Sequence, residues 1–452
     1  MLKLIRMMPV LYHKCTVQYR TVLQYSTVSG YGEFDENSGE FHKGWSIAPM
    51  VGYEGHTRDA CAASLLRSAA QFAKPTGSCD RNTNSFLHAG SHVTMSRHHK
   101  PRVFIGLAGM SEWRVPLDSR LAYLCEPVLS TLRAGFRALE PTVPHVLEVD
   151  LNASTRTIRS LGLGAGDVFV WVASTALQRV PWEHLRSTGV YTVYYQSEPM
   201  GVSSSARSLI PHKYRESTFC ACASIHCDEL WDFSLYNVDA CRNATLPKGY
   251  EKPLLRHVPL TATLDEEAPK LLRQPDAANA TLTFFGSSHF GRGPCLRAIE
   301  RDLKHPLQRV YDVFDASAYE QFLHRADSGL YLNLHKECVV NPSAEHLTHG
   351  ARPVTWRNPK LLNARGLIIS EPCYWRDEAE YAGLVDFVPL DKIGAAAEAL
   401  LCLSAEQRLA LANARYECFR ARFHPLAIFL HAGVHSMLAG AAGRGEEVGG
   451  GS

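Results

Sequence analysis

With 47 Lys and Arg against 45 Asp and Glu, this 452-residue chain has a formal charge of +2, which offers no bulk field for a nucleic acid or an anionic bilayer. Its 46% hydrophobic and 20% charged residues are ordinary for a globular protein, and the length suits two packed domains plus an extension. No uncharged apolar run reaches bilayer length: the longest, Leu426–Ala442, is interrupted by His431 and His435 and reads as one amphipathic terminal helix.

Residues 1–100 form the N-terminal extension. Met1–Gly32 holds Lys3, Arg6, Lys14 and Arg20 without an acidic residue, a composition shared by organelle transit peptides and by disordered extensions. Gly, Ser, Asn and His crowd residues 77–100, which read as a linker. The 13 cysteines lack a regular spacing, and several, such as Cys125 and Cys402, sit in apolar helical patterns as buried thiols. Without a secretory signal, that points to a reducing compartment: cytoplasm, or an organelle if residues 1–32 are a transit peptide.

Order begins with the strand Arg102–Gly106. Leu121, Leu124, Val128, Leu132, Phe136 and Leu139 then repeat at helical steps, up to Pro141. Strands follow at His145–Val149 and Asp167–Val172, the second a continuous apolar run suited to a strand covered on both faces. A helix over Pro181–Ser187 leads to a strand over Val190–Tyr195. Cys220–Ile225 reads as the next strand, and Asp228–Asp232 as the start of the helix behind it. Leu255–Leu260 is extended.

The polar segment Thr261–Ala280 separates residues 101–260 from a second unit, 261–440, and residues 441–452 form a flexible tail. The alternation restarts with strand Thr281–Phe285, a helix from Pro294, strand Arg309–Val313, helix Tyr319–Arg325 and strand Leu330–Leu334. A short helix, Lys360–Ala364, stops at Gly366, and strand Leu367–Ile369 follows. Strand Leu384–Val388 and helices Asp391–Leu403 and Ser404–Phe423 complete the unit. The last helix opens on a Ser404…Gln407 capping box. The fold class is therefore α/β, with two doubly wound units in series.

Polar and cationic residues collect where strands of the second unit enter loops, the place where open α/β sheets bind ligands. The loop Gly286–Gly293, with Ser287 and Arg292, lies between a strand and a helix, where backbone amides suit a phosphate; it also suits simple packing. Arg352, Arg357, Lys360 and Arg365 form the densest cationic cluster, which a diphosphate or plain solvent could equally face. His335 and Lys336 end a buried strand, and Glu371 ends the next. In the first unit Glu198 and the Asp228/Glu229 pair, beside His226, are the candidate bases at expected carboxyl ends of strands, although Asp228 also suits a helix N-cap. No metal site is expected. Cys220, Cys222, Cys227 and His226 lack a second cysteine pair, and Glu148-Val149-Asp150 is only the nearest thing to a metal–diphosphate carboxylate pair.

The stretches FFGSSHFGR, YLNLHKE, RNPKLLNARGLIISE, DEAEYAGLVDFVPLDK and LSAEQRLALANARYECFRARFHP come in order over about residues 281–430. Together they resemble the group 1 glycosyltransferases, in particular the spore-maturation-protein-like branch with the GT-B architecture. DELWDFSLYN followed by LRHVPL resembles the end of that family's N-terminal domain. The resemblance implies two Rossmann-like domains facing across a cleft, with a nucleotide-sugar donor as co-substrate on the C-terminal domain and no obligatory metal or other cofactor. It places Ser287 and Arg292 near the phosphates and Arg357 and Lys360 at the start of the donor-binding helix; Gly286, His335, Lys336 and Glu371 join the expected donor site from their places at the ends of strands. The chain departs from the family at Lys360, where many relatives have a glutamate holding the donor ribose or sugar, and its spacing to Gly366 is one residue longer.

The function expected is metal-independent transfer of a sugar from a nucleotide-diphosphate donor to an acceptor (glycan, protein or small molecule) that the sequence does not name. Glu198 or Asp228 would handle the acceptor proton. The Lys360 departure motivates an alternative, a non-catalytic GT-B-like protein that binds a nucleotide-sugar or glycan, and an epimerase on the same scaffold is a third. No nucleic-acid partner and no transmembrane segment are expected.

Overall fold

In the computed structural model, the residues described are 100–108, 120–153, 155–173, 180–196, 227–246, 248, 251–262, 280–286, 292–311, 329–335, 355 and 357–449. The extension before residue 100, the expected strand Cys220–Ile225 and the expected helix Tyr319–Arg325 lie outside them.

The first unit runs β1 (Arg102–Ala108), α1 (Arg120–Leu139), β2 (Val146–Ala153), α2 (Thr155–Ser160), β3 (Val168–Ala173), α3 (Trp182–Ser187), β4 (Tyr191–Gln196), β5 (Glu229–Asp232), α4 (Leu235–Asn243) and β6 (Leu254–His257). All pairings in this sheet are parallel, in the order β2-β1-β3-β4-β5-β6. The apolar run of β3 has the reason its sequence suggested. Val168, Val170 and Val172 enter the core under one face, while Phe169 and Trp171 enter the core under the other.

The second unit runs β7 (Leu282–Gly286), α5 (Arg292–Arg301), β8 (Leu307–Tyr311), β9 (Leu330–Asn333), α6 (Arg357–Asn363), β10 (Leu367–Ser370), α7 (Trp375–Glu380), β11 (Asp386–Phe387) and α8 (Ile393–Leu401). Its sheet is also parallel, in the order β11-β10-β9-β7-β8. Read from its far end, this is the plan of the first sheet: second strand, first, third, fourth, fifth. The protein is thus two Rossmann-like α/β units.

Three helices follow: α9 (Ala405–Arg422), α10 (Pro425–His431) and α11 (Val434–Gly449). Ser404 and Gln407 form the expected capping box at the start of α9. The chain then returns to the first unit, where the Phe423 carbonyl accepts from the Ala262 amide (2.9 Å). Phe429 lies edge-on to Phe136 at 5.2 Å and presses on Gly135, where an added Cβ would come within 2.1 Å of its ring.

Several elements differ from expectation. Asp228–Asp232 does not open a helix: Glu229–Asp232 is β5, buried along its length. Its carboxylates look like a helix start in sequence, but each has a buried partner. Glu229 accepts from Arg256 Nε and Nη2 (2.6 Å each), Tyr191 Oη (2.7 Å) and Trp231 Nε1 (2.6 Å). The terminal run is two helices, bent by 64° at a break where Gly433 has φ +72°. A side chain there would also meet Arg256 Nη1 at 2.6 Å. Residues expected as a flexible tail are helical as far as Gly449. The stop of α6 is a Schellman turn whose left-handed residue is Arg365 (φ 56°), not Gly366. The Gly366 amide donates to the Leu361 carbonyl and that of Arg365 to Leu362. Gly366 is required for a different reason, since a Cβ there would lie 2.7 Å from the Tyr331 ring.

Among the described residues no single helix is long and apolar enough to cross a membrane; the bent pair α10–α11 meets that test by length and composition. Cys241, Cys295 and Cys418 are disulfide-bonded, whereas Cys227, Cys373 and Cys402 are not.

Candidate functional site

In a sheet ordered second, first, third, fourth, fifth, the connections leave the first and third strands on opposite faces, which opens a crevice at their carboxyl ends. In the second unit those strands are β7 and β9. Gly286 ends one, and Asn333, Leu334 and His335 end the other. A Cβ at Gly286 would press on Phe284 Cζ at 3.0 Å and would lie in ordinary contact with Arg357 Nη1 at 3.6 Å, which places the guanidinium beside the strand end.

Asn333 organises this edge. It is fully buried, and its amide donates to Ser370 Oγ (2.9 Å) while its Oδ1 accepts from Thr355 Oγ1 (3.0 Å) and Arg357 Nη1 (3.2 Å). One side chain therefore joins β9, β10 and the start of α6, fixing where Arg357 points. Glu371, at the end of β10, accepts from the His335 amide, and its Oε1 lies 3.1 Å from His335 Nδ1. The His335 carbonyl in turn accepts from Arg292 Nε (3.1 Å), and the Arg292 guanidinium sits 5.8 Å over the Phe284 ring.

Arg292, the first residue of α5, is only 4% exposed. Burial, and after it the charge of Arg357, pulls its guanidinium down to about 10, against the opposing pull of Glu371. Two mutually repelling cations, one carboxylate and the amide end of α5 thus converge on one crevice. Such an arrangement stabilises an anion that reaches it.

The residues singled out from sequence divide clearly. Gly286, Arg292, His335, Arg357 and Glu371 come together here. Lys360 lies one turn after Arg357 on α6 and is half-buried. Arg365 leaves the cluster: it donates to Asn413 Oδ1 (2.5 Å) and stacks on Tyr416 (4.5 Å), so it fastens α6 to α9. Ser287, Lys336, Arg352, Glu198 and His226 lie outside the described residues.

Asp228 is misplaced for the role of acceptor base. It precedes β5 and therefore sits at the amino edge of the first sheet, not at the expected carboxyl edge. There its carboxylate accepts from the Thr192 amide (2.7 Å) and hydroxyl (2.9 Å) and faces Arg444 at 3.5 Å. Its partner Glu229 is committed to Arg256, as described above. Among the described residues no group of three or more His, Cys, Asp or Glu side chains could hold a metal ion.

A second polar cluster escaped the sequence reading. It lies where the carboxyl edges of the two sheets meet. Asp377 of α7 is fully buried and accepts from Ser234 Oγ (2.5 Å) and the Leu235 amide (2.7 Å), so a residue of one unit caps α4 of the other. Asp239 accepts from Tyr374 Oη (3.0 Å) and Arg376 Nη1 (2.5 Å) across the same junction. Asp232, at the end of β5, accepts from the Ser234 amide and the Asn237 side chain (2.8 Å each), and burial pushes its carboxyl well up. His257 Nε2 faces Glu380 Oε2 at 3.5 Å. Burial drives the first down to about 4 and the second up to about 8. The only sequence signal was the acidic run Asp377-Glu378-Ala379-Glu380, which carries no mark of its partner on α4.

No protein-family model and no curated protein matches the chain. Solved structures similar to it include Alr3699/HepE of Anabaena in complex with UDP-glucose, at 12% identity and TM-score 0.45 over 74% of this chain and 99% of that one. An α,α-trehalose 6-phosphate synthase from Burkholderia multivorans is similar at 11% identity and TM-score 0.44 over 78% and 99%. A GtfA/B complex is similar at 12% identity and TM-score 0.41 over 64% of this chain, which spans 59% of that chain's length. At these identities and scores the likeness is one of overall arrangement and says nothing of what this chain binds.

Proposed function

We propose that this protein is a glycosyltransferase that holds a nucleotide-diphosphate sugar at the carboxyl ends of β7, β9 and β10. The observation that carries this reading is the approach of Arg292 and Arg357 at the crevice of the second sheet, close enough for one charge to depress the ionisation of the other. Glu371 is one carboxylate beside two cations, so the crevice keeps an excess of positive charge that suits a diphosphate, which brings more than one negative charge. The stretches that resemble the glycosyltransferases, FFGSSHFGR and RNPKLLNARG, supply both arginines. Transfer would then be electrostatic and positional: Arg292, Arg357 and Lys360 stabilise the departing nucleoside diphosphate, and no metal is required for that charge. The acceptor hydroxyl gives its proton to a carboxylate of the first unit. Glu198 is the sequence candidate, now that Asp228 is at the wrong edge.

Lys360 favours a second reading, binding without transfer. A cation at that position strengthens the hold on phosphate and removes the carboxylate by which many relatives hold the donor. Thermal shift against UDP-, GDP-, ADP- and TDP-sugars tests the shared part of both readings. A donor present at about 100 times its Kd stabilises the fold by about 2.7 kcal/mol. A melting temperature that none of the four moves removes both readings. If one donor binds, sugar release or transfer from it separates the enzyme from the binding protein.

A further inference from the structure

We infer that Trp375 is a stacking platform for a pyranose ring of the acceptor, so that the acceptor is a carbohydrate; this rests on the transferase reading above. Trp375 is 66% exposed, although the indole is the largest apolar side chain and is usually well covered. It begins α7, a short stretch of chain after Glu371 leaves the anion crevice, and β10 lies next to β9 in the sheet. A ring lying on it is therefore on the same edge of the second unit as the donor.

The platform is rigidly backed. The Tyr374 ring lies 5.9 Å from that of Trp375 and meets Tyr236 of the first unit edge-on at 5.6 Å. The Tyr374 hydroxyl is tied to Asp239 across the junction (3.0 Å). Tyr374 is thus held across the junction, and it lies against the indole at the start of α7. A pyranose presents an apolar face of C–H groups, which the negative face of an aromatic ring attracts, and a rim of hydroxyls. The part-exposed guanidinium of Arg376, which follows Trp375 and is held by Asp239, offers donors to that rim.

A bilayer would ask for a contiguous apolar surface around the indole. In sequence Trp375 stands between Tyr374, whose hydroxyl is bound to Asp239, and Arg376. The other large apolar side chains left exposed among the described residues, Val146 and Leu254, stand on β2 and β6 of the first sheet.

The test uses the full chain as wild type, Trp375→Ala and Trp375→Phe. Calorimetry measures affinity for malto-, cello- and chito-oligosaccharides, each with and without UDP, and UDP affinity is measured separately. We expect one oligosaccharide series to bind the wild type, Trp375→Ala to weaken it by about tenfold or more, and Trp375→Phe to restore part of the loss. UDP affinity should be the same in all three proteins. Wild-type protein that binds none of the oligosaccharides, or Trp375→Ala that binds them equally well, overturns the proposal. So does Trp375-dependent binding to phosphatidylcholine/phosphatidylglycerol vesicles in place of sugar. If the sugar effect appears but none of the UDP-, GDP-, ADP- and TDP-sugars shifts the melting temperature, Trp375 stands as a sugar platform and the transferase reading falls.

Discussion

The two sheets share one strand order, yet they use their carboxyl edges differently. In the second sheet the first and third strands end in a crevice lined by Arg292, Arg357, His335 and Glu371, with Gly286 at the end of β7. In the first sheet the polar groups after β5 and β6 are engaged internally or with the other unit: Asp232 with its own loop, Ser234 with Asp377, and His257 with Glu380. A shared topology fixes where a site can form, and the side chains decide whether that edge binds a ligand or a neighbouring domain.

The sharpest way to break this contrast is Arg357→Ala. If the guanidinium meets phosphate, its loss costs about 1.5–3 kcal/mol of nucleotide affinity, the range of a hydrogen bond to a charged group. Asn333 retains Thr355 and Ser370 as partners, so the variant should fold. Nucleotide affinity equal to wild type, measured by calorimetry, would remove Arg357 from the site.

Asp377→Ala probes the other edge. It leaves Ser234 Oγ and the Leu235 amide without their buried acceptor, while Ser234 still caps α4 through the Tyr236 amide, and the lost acceptor costs about 1–3 kcal/mol of stability in chemical denaturation. Nucleotide affinity should remain near that of the wild type, because none of the crevice contacts passes through Asp377. A large loss of affinity with unchanged stability would show that the two edges are one functional unit.

How far the sequence foretold this division depends on how local each signal was. Strands β3, β9 and β10 were legible because a parallel strand covered on both faces reads as a nearly continuous apolar run, broken only at the carboxyl ends by Asn333 and Ser370. β5 was not legible. Its carboxylates imitate a helix start, and only Arg256 and Tyr191, brought beside it by the sheet, make the buried strand tolerable. That Arg292 and Arg357 share one strand edge could be read because the strand–glycine–helix stretch and the Arg357 helix each carry their part within a few residues. Arg365 lies in the same basic run and looks identical in sequence, but the Schellman turn aims it at Tyr416 instead. The cap of α4 by Asp377 spans 143 residues, a separation at which no spacing rule operates.

The remaining test is a pH signature of the junction, and its sign is specific. Glu380 is raised from 4.5 to about 8 by burial and then by Asp377, against Arg422 and Arg376. A raised carboxyl stabilises fully below its unfolded value, and that contribution is lost as pH climbs through about 8. His257 is lowered from 6.5 to about 4, chiefly by burial, so its contribution is present above 6.5 and lost as pH falls toward 4. Between 4.5 and 6.5 the two slopes oppose each other, because the folded state keeps one proton on the carboxyl and gives one up from the imidazole. Above 6.5 only the Glu380 slope remains. Subtracting the stability curve of Glu380→Gln from that of the wild type isolates the carboxyl, and the difference should fall steadily from about 4.5 to about 8. His257→Gln should uncover the same decline already in the lower half of that range. A flat difference curve for Glu380→Gln would mean that the carboxyl is ionised in the folded protein, and the junction would then be a charged contact open to water.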